Sequence, residues 1–279
     1  MDFVNLKFNK NLKMCIPSVE SVDNMYGSKI VQEQIRINNI WSKEETSLFI
    51  DILQNNDNSN NVIVDVGSNT GYFTLISLSL NYHTISIEPN PIYKKYIDKS
   101  IEINNFDLNK FKYFENFASD YDKEILFDGW SGLDIMMDYN DKYYVKPIAI
   151  DNICDKDILL LKIDVEGGEP SVFRSAKKLI NNKKIKYIIF ELTYIIKNNL
   201  IQEQLDILPY LKFNNYNLFE IVENKLVHIP NIKNRLNYWI KEYNTNHVVK
   251  NPNLIYSSAG TNILAIQIGN PIPNVNLFS

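Results

Sequence analysis

Between residues 62 and 191 the chain alternates short, almost wholly apolar runs with segments whose apolar residues recur at helical spacing, and this alternation narrows the fold more than any other feature. Strands that are apolar at every position bury both faces, which requires helices on either side of a parallel sheet. Strands are predicted at 62–66, 84–88, 113–118, 158–163 and 187–191, with helices after Gly71, over 91–103 and over 170–180. In the last of these helices Pro170 suits the first helical position, and Val172, Phe173, Ala176, Leu179 and Ile180 mark the face that packs on the sheet. Upstream, Ser42-Lys43-Glu44-Glu45 has the pattern of a capping box and opens a helix over 43–54 with Leu48, Phe49, Ile52 and Leu53 on its apolar face. The Asn-rich stretch 55–61 must then be a surface loop. Two further strands are expected at 217–227 and 261–268, separated by an aromatic and polar segment, 229–260, suited to a lid or acceptor insert. The organisation expected is an N-terminal segment, 1–45, placed to cap a substrate, one α/β domain over 46–269, and a tail over 270–279.

Composition closes off other classes. A chain of 279 residues, 45% hydrophobic, can bury a full core. Its 29 Lys+Arg against 33 Asp+Glu give a net charge of -4, and three arginines (Arg36, Arg174, Arg235) make a poor phosphate-tracking surface, so a nucleic-acid partner is not expected. Cys15 and Cys154 are too few and too far apart for a disulfide framework or a zinc site, which points to a reducing compartment. No apolar run has the length of a membrane span and the start lacks the apolar stretch of a signal peptide, so a cytoplasmic protein is expected. Asn makes up about one residue in seven, the bias of a low-GC microbe, a protist or a large DNA virus, and in the last case the compartment is the host cytoplasm.

The segment Val62-Ile-Val-Asp-Val-Gly-Ser-Asn-Thr-Gly71 is a buried strand ending in an acid, followed by two glycines four apart and a helix. Such a turn brings backbone and a helix N-terminus close to a ligand at the strand's carboxyl end. It lacks the G-x-G-x-x-G spacing that admits a pyrophosphate, so a nucleotide-like ligand without one fits better. Asp65 is suited to accept from a ligand ammonium, and the loop Gly67, Ser68, Asn69 and Gly71 leaves room for an amino-acid moiety. S-adenosylmethionine meets both demands. The second strand ends at Glu88, about twenty residues further on, where such folds hydrogen-bond a ribose diol; taken alone, Glu88 would equally start a turn before Pro89. Beyond the third strand, Asn116 or Phe117 is placed to meet the adenine, while Phe117 equally suits the core.

A third motif, Leu160-Leu-Lys-Ile-Asp164-Val-Glu166-Gly-Gly-Glu169-Pro170, delivers three carboxylates within six residues to the same sheet edge. Crowded carboxylates raise one another's pKa, which suits a general base, or they share a divalent cation. Asp164, at the strand end, is the first candidate for the base, with Glu166 or Glu169 second. Glu166 and Glu169 equally suit a helix start, where an anion gains about 0.3–1 kcal/mol. Lys162, inside the strand, either pairs with a carboxylate or, as a buried amine of lowered pKa, acts as the base itself. A cation held by Asp164 with Glu166, Glu169 or Glu191 is not favoured, since the cluster lacks a His. His83, His228 and His247 are scattered without ligand spacing. Tyr238 and Trp239, with Tyr194 and Trp130, offer an aromatic platform for a sugar, or else core or dimer-interface packing.

Taken in order, the glycine strand-loop, Ile87-Glu88-Pro89-Asn90-Pro91, Lys162-Ile163-Asp164-Val165-Glu166-Gly167-Gly168-Glu169 and Ile189-Phe190-Glu191 resemble the FkbM-type S-adenosylmethionine-dependent methyltransferases. The Lys-Ile-Asp-Val-Glu-Gly-x-Glu run is the specific part, because the glycine loop is shared by most class I methyltransferases. The resemblance implies a Rossmann-like α/β fold, with a seven-stranded, mostly parallel sheet, an antiparallel last strand and helices on both faces. It also implies O-methylation of a hydroxyl on a sugar or polyketide-like metabolite, with S-adenosylhomocysteine as product. The leading expectation is therefore an enzyme that methylates a sugar, sugar nucleotide or glycan. The alternatives are methylation of nucleic acid or another small molecule, and a non-catalytic cofactor-binding subunit, since a fold does not dictate a function. Whether the chain pairs as a homodimer is open at this point.

Overall fold

The computed structural model describes residues 1–19, 26–57, 61–127, 143–196, 199–243 and 258–275. A short antiparallel hairpin, β1 (Asp2–Asn5) and β2 (Lys13–Ile16), comes first, followed by helices α1 (Tyr26–Asn38) and α2 (Lys43–Gln54). The alternation then begins: β3 (Val62–Val66), α3 (Tyr72–Ser79), β4 (His83–Ile87), α4 (Pro91–Asn104) and β5 (Phe111–Phe114). It resumes with β6 (Ile158–Ile163), α5 (Glu169–Ser175), α6 (Lys177–Asn181), β7 (Ile185–Ile196) and α7 (Gln202–Phe213), and closes with β8 (Tyr216–Val222), β9 (Lys225–His228), α8 (Ile232–Tyr243) and β10 (Ser258–Gln267).

The main sheet is nine-stranded, in the order β9-β8-β10-β7-β6-β3-β4-β5, with the short strand Asn199–Leu200 paired to β7. Strands β5, β4, β3, β6 and β7 are parallel, and β10 runs antiparallel between β7 and β8. This is the expected Rossmann-like sheet with its reversed last strand, extended by β9 and Asn199–Leu200. The chain winds one way from β3 through β4 to β5 and the other way from β6 to β7. The crevice at the carboxyl ends of β3 and β6 is therefore the switch point where open α/β sheets bind ligands.

Both faces are covered, which is why β3 and β6 are buried at every position. Val62, Val64 and Val66 pack with Leu161, Ile163 and the α5–α7 helices on one face. On the other, Ile63 and Leu160 meet Leu48, Phe49 and Ile52 of α2 and Leu75 of α3. Each of these side chains contributes about 1.5–3 kcal/mol by leaving water.

Several expected boundaries shift for identifiable reasons. The strand expected at 217–227 is a hairpin: Glu223 and Asn224 have φ of 46° and 61°, the pair of left-handed residues that a two-residue type I′ turn needs. The strand expected over 113–118 ends at Phe114, and Phe117–Ala118 instead pairs with Pro147–Ile148 outside the main sheet. Ser42 takes a left-handed conformation and makes no side-chain cap bond, so the capping box is not formed. Within the aromatic segment α8 forms, while 244–257 lies outside the described residues, as do 58–60 of the Asn-rich loop.

Candidate active site

The loop after β3 turns on Gly67, at φ 78°. A Cβ there would stand 1.8 Å from the Asp164 carbonyl oxygen, so the neighbouring strand end leaves no space for a side chain. Gly71, at φ 88°, likewise admits Ile97 of α4, whose Cγ1 would be 2.8 Å from an added Cβ. Both glycines were expected to make room for a ligand. What they admit first is protein, and of the two Gly67 borders the cleft.

Between them, Ser68 Oγ accepts from Ser86 Oγ (2.6 Å), and the Asn69 amide donates to Glu88 Oε2 (2.8 Å). The other carboxylate oxygen, Oε1, accepts from the Asn90 amide (2.9 Å), so Glu88 fastens the glycine loop to the start of α4. Burial pushes the Glu88 carboxyl up to about 7 in spite of those two amides. Asp65 accepts from Thr74 Oγ1 (2.6 Å) and is raised by burial to about 6. Two buried acids poised near neutrality gain most from a ligand that donates hydrogen bonds or carries positive charge. Asn116, whose Nδ2 donates to the Lys146 carbonyl (3.0 Å), and Phe117 border the same cleft.

The loop after β6 brings a second group of charges. Lys162 is 1% exposed, and its Nζ lies 3.4 Å from Asp164 Oδ2, 3.7 Å from Glu45 Oε2 and 5.4 Å above the Phe73 ring. Burial alone would lower its pKa, but the Asp164, Glu45 and Asp65 carboxylates raise it above the usual lysine range. These neighbours favour the charged amine, so of the two readings of Lys162 the geometry suits the ion pair with a carboxylate. Asp65 stands directly beside it in the register of β3 and β6.

Carboxylate oxygens of Asp164, Glu166 and Glu191 lie within 4.8 Å of one another. Burial pushes the Glu191 carboxyl up to about 8, helped by the Asp164 and Glu166 charges. Glu166, at the exposed rim, rises to about 7 through desolvation and the neighbouring Asp164 and Glu169. It holds φ 51°, a conformation that costs a residue with a side chain roughly 1–3 kcal/mol. Gly260 of β10 leaves the space that Glu191 uses, since a Cβ there would be 2.7 Å from Glu191 Oε1. The three acids form the kind of all-oxygen set that magnesium or calcium takes, and Lys162 already offsets part of their charge.

Glu169, expected beside them, is not brought to the cleft. It is fully buried at the first position of α5, accepting from the Gly167 amide (3.1 Å) and from Gln204 Nε2 (2.6 Å). Its role here is to tie the β6 loop to α7. Of the aromatic platform, two members are taken up in packing: Tyr194 and Trp239 are buried and stacked at 5.3 Å, and Trp239 Nε1 donates to Glu220 Oε1 (2.8 Å). Tyr238 carries Arg235 over its ring at 4.5 Å, and Trp130 lies outside the described residues. His83 opens β4 at the end away from the cleft, His228 packs against Phe219 (5.1 Å), and His247 lies outside the described residues.

The opposite wall comes from the start of the chain. Ile30, Val31 and Gln34 of α1, with Trp41 and Glu45, border a cleft of about 770 Å³, within the roughly 300–1,000 Å³ of small-molecule sites. Buried Gln32 donates through Nε2 to Asn69 Oδ1 (3.2 Å) and Thr70 Oγ1 (2.9 Å), fixing α1 to the glycine loop. Sequence reasoning missed both Gln32 and Glu45. Glu45 was absorbed into the capping-box pattern, although its carboxylate faces Lys162, and nothing in the local pattern marks Gln32.

A profile of the Methyltransferase FkbM domain matches residues 65–218, more than half of the chain. The chain belongs to the FkbM methyltransferase family. The match takes in the glycine loop, Glu88 and the β6 motif, and leaves out α1 and α2. No curated protein matches the chain. Among solved structures, an FkbM methyltransferase of Methylobacillus flagellatus is 16% identical over 73% of this chain, with a TM-score of 0.46. The FkbM-family chain described here spans 51% of that protein's length. A precorrin-6y C5,15-methyltransferase of Geobacter metallireducens matches at 12% identity over 82% of this chain and 90% of its own, with a TM-score of 0.42. A Streptococcus mutans protein in complex with SAH matches at 10% identity over 82% of this chain and 99% of its own, with a TM-score of 0.46. Among the described residues no helix is long and apolar enough to cross a membrane.

Proposed function

We propose that this member of the FkbM family transfers the methyl group of S-adenosylmethionine to a hydroxyl of a carbohydrate. The observation that carries the reading is the meeting, in one cleft, of Asp65 and Glu88 at the ends of β3 and β4 with the three-carboxylate group of Asp164, Glu166 and Glu191. The donor set suits the cofactor: Asp65 accepts from its ammonium, Glu88 from its ribose hydroxyls, and Asn116 and Phe117 border the place left for its base. Bound S-adenosylmethionine supplies an electrophilic methyl group on a sulfonium.

The chain's own residues do the rest. An alcohol is a poor nucleophile at neutral pH, so its proton must leave as it attacks. A base works best with a pKa near the operating pH, and Glu191, raised to about 8, has that match. Glu166 and Asp164 lie within 4.8 Å of it, close enough for their oxygens to help receive the departing proton. Lys162 holds Asp164 in place from behind, and the walls of the cleft align the hydroxyl, an effect worth up to about 7–11 kcal/mol in well-oriented systems.

The test is incubation with methyl-labelled S-adenosylmethionine and pools of free sugars, sugar nucleotides and glycans, with and without chelator, followed by mass spectrometry. Label is expected on a carbohydrate oxygen. Glu191→Gln should lower that rate about 10²–10⁴-fold while S-adenosylhomocysteine binding, measured by calorimetry, stays within a few-fold. Cofactor binding with no carbohydrate labelled would refute the acceptor class.

A further inference from the structure

The charge pattern of the cleft narrows the acceptor. Six carboxylates border it, from Glu45, Asp65, Glu88, Asp164, Glu166 and Glu191, and among the described residues that do so there is no lysine, arginine or histidine. The nearby Lys162 is buried, with its ammonium already engaged by Asp164 and Glu45. The three arginines are committed elsewhere: Arg36 to Asp2 (3.2 Å), Arg174 to Asp120 (3.1 Å) and Arg235 to Glu220. After Asp65 and Glu88 have served the cofactor, the acceptor still meets Asp164, Glu166 and Glu191.

With no divalent cation on the three acids, a phosphate ester entering that space would give up its hydration to face acidic groups, with no described lysine or arginine side chain on the wall to replace the water. Sugar hydroxyls, in contrast, donate to carboxylates, and an ammonium on the sugar would be attracted by them. Trp41 and Tyr93 add aromatic side chains to the wall, the residue type that packs on the C–H face of a pyranose. We infer that the acceptor is a sugar bearing no phosphate or nucleoside diphosphate, either neutral or aminated, and that the charge of the cleft excludes sugar nucleotides. This rests on the carbohydrate O-methylation proposed above.

The experiment offers the full chain, with methyl-labelled S-adenosylmethionine, a panel of hexoses each in four forms: free, 2-amino, phosphorylated and as the uridine diphosphate ester. S-adenosylhomocysteine binding is followed in parallel by calorimetry. The free or amino form should be methylated at least about 100-fold faster, by kcat/KM, than its esters. Equal or faster transfer to an ester overturns the inference and leaves carbohydrate methylation standing. No transfer to any form, with the cofactor bound, overturns carbohydrate methylation and the inference with it. A second variant probes the cause: Gln34→Arg places a cation on the exposed wall of α1 and should narrow the discrimination against esters about tenfold. An unmoved ratio would mean that charge is not what excludes them, and the inference falls.

Discussion

The two walls of the cleft are built on opposite principles. At the ends of β3 and β4 the carboxylates are fixed from within one strand–helix–strand unit and the loop that follows it: Asn69 and Asn90 hold Glu88, and Thr74 holds Asp65. On the other side, α1 and α2 reach the site only through single side chains that cross from a remote part of the chain, Gln32 to the glycine loop and Glu45 to Lys162. A wall made by local geometry leaves a motif in the sequence; a wall made by packing does not. The family match accordingly begins at Asp65 and omits both helices.

If this contrast is right, damage to the local wall should be the most severe. Gly67→Ala drives a Cβ into the Asp164 carbonyl and should cost about 5 kcal/mol or more in urea unfolding; a well-folded variant would show that the loop is looser than described. Lys162→Met, which leaves Glu45, Asp164 and Asp65 without their shared cation, should cost about 3–5 kcal/mol in the same assay.

The next effect is in pH. Asp65, raised to about 6, must be charged to take a ligand ammonium, so S-adenosylhomocysteine affinity should fall by up to about tenfold per pH unit below 6; a flat calorimetric profile from pH 5 to 7.5 would remove Asp65 from that role. Stability of the ligand-free protein should move the other way. Asp65, Glu88 and Glu191 have folded pKa values of about 6, 7 and 8, above the roughly 4 of an unfolded carboxyl, so the folded state binds protons more tightly. Their contribution is present in full below pH about 4 and is lost as pH rises through 6 to 8, giving a higher Tm at pH 6 than at pH 8.5.

The smallest expected effect joins the two walls. Gln32→Ala removes two hydrogen bonds to the glycine loop and should weaken S-adenosylhomocysteine about fivefold, near 1 kcal/mol. No change would make α1 a wall for the acceptor alone.

The parallel sheet, its order of elements and the acids at its edge were legible because buried strands, glycine turns and strand-end carboxylates each leave a local pattern. Glu169 was read into the site from its spacing, and only the position of Gln204, 35 residues away, shows that it faces inward. Glu45 was hidden by a pattern that meant something else: Ser42 and Glu45 have capping-box spacing, yet a buried ammonium 3.7 Å away has the stronger claim on the carboxylate. The hairpin at Glu223-Asn224 was missed because neither residue is the glycine that usually announces a type I′ turn.

The space at Gly67 separates two kinds of inheritance. Since the Asp164 carbonyl, and not a ligand, forbids a side chain there, a descendant of this chain that lost methyl transfer would still have to keep the glycine in order to fold. Glu88, which ties the loop to α4 through two amides, would be held for the same reason, whereas Asp65, whose burial as an acid disfavours its charged form, would be freer to drift. In such a lineage the glycine loop would testify to ancestry, and Asp65 beside it to continued trade in the cofactor.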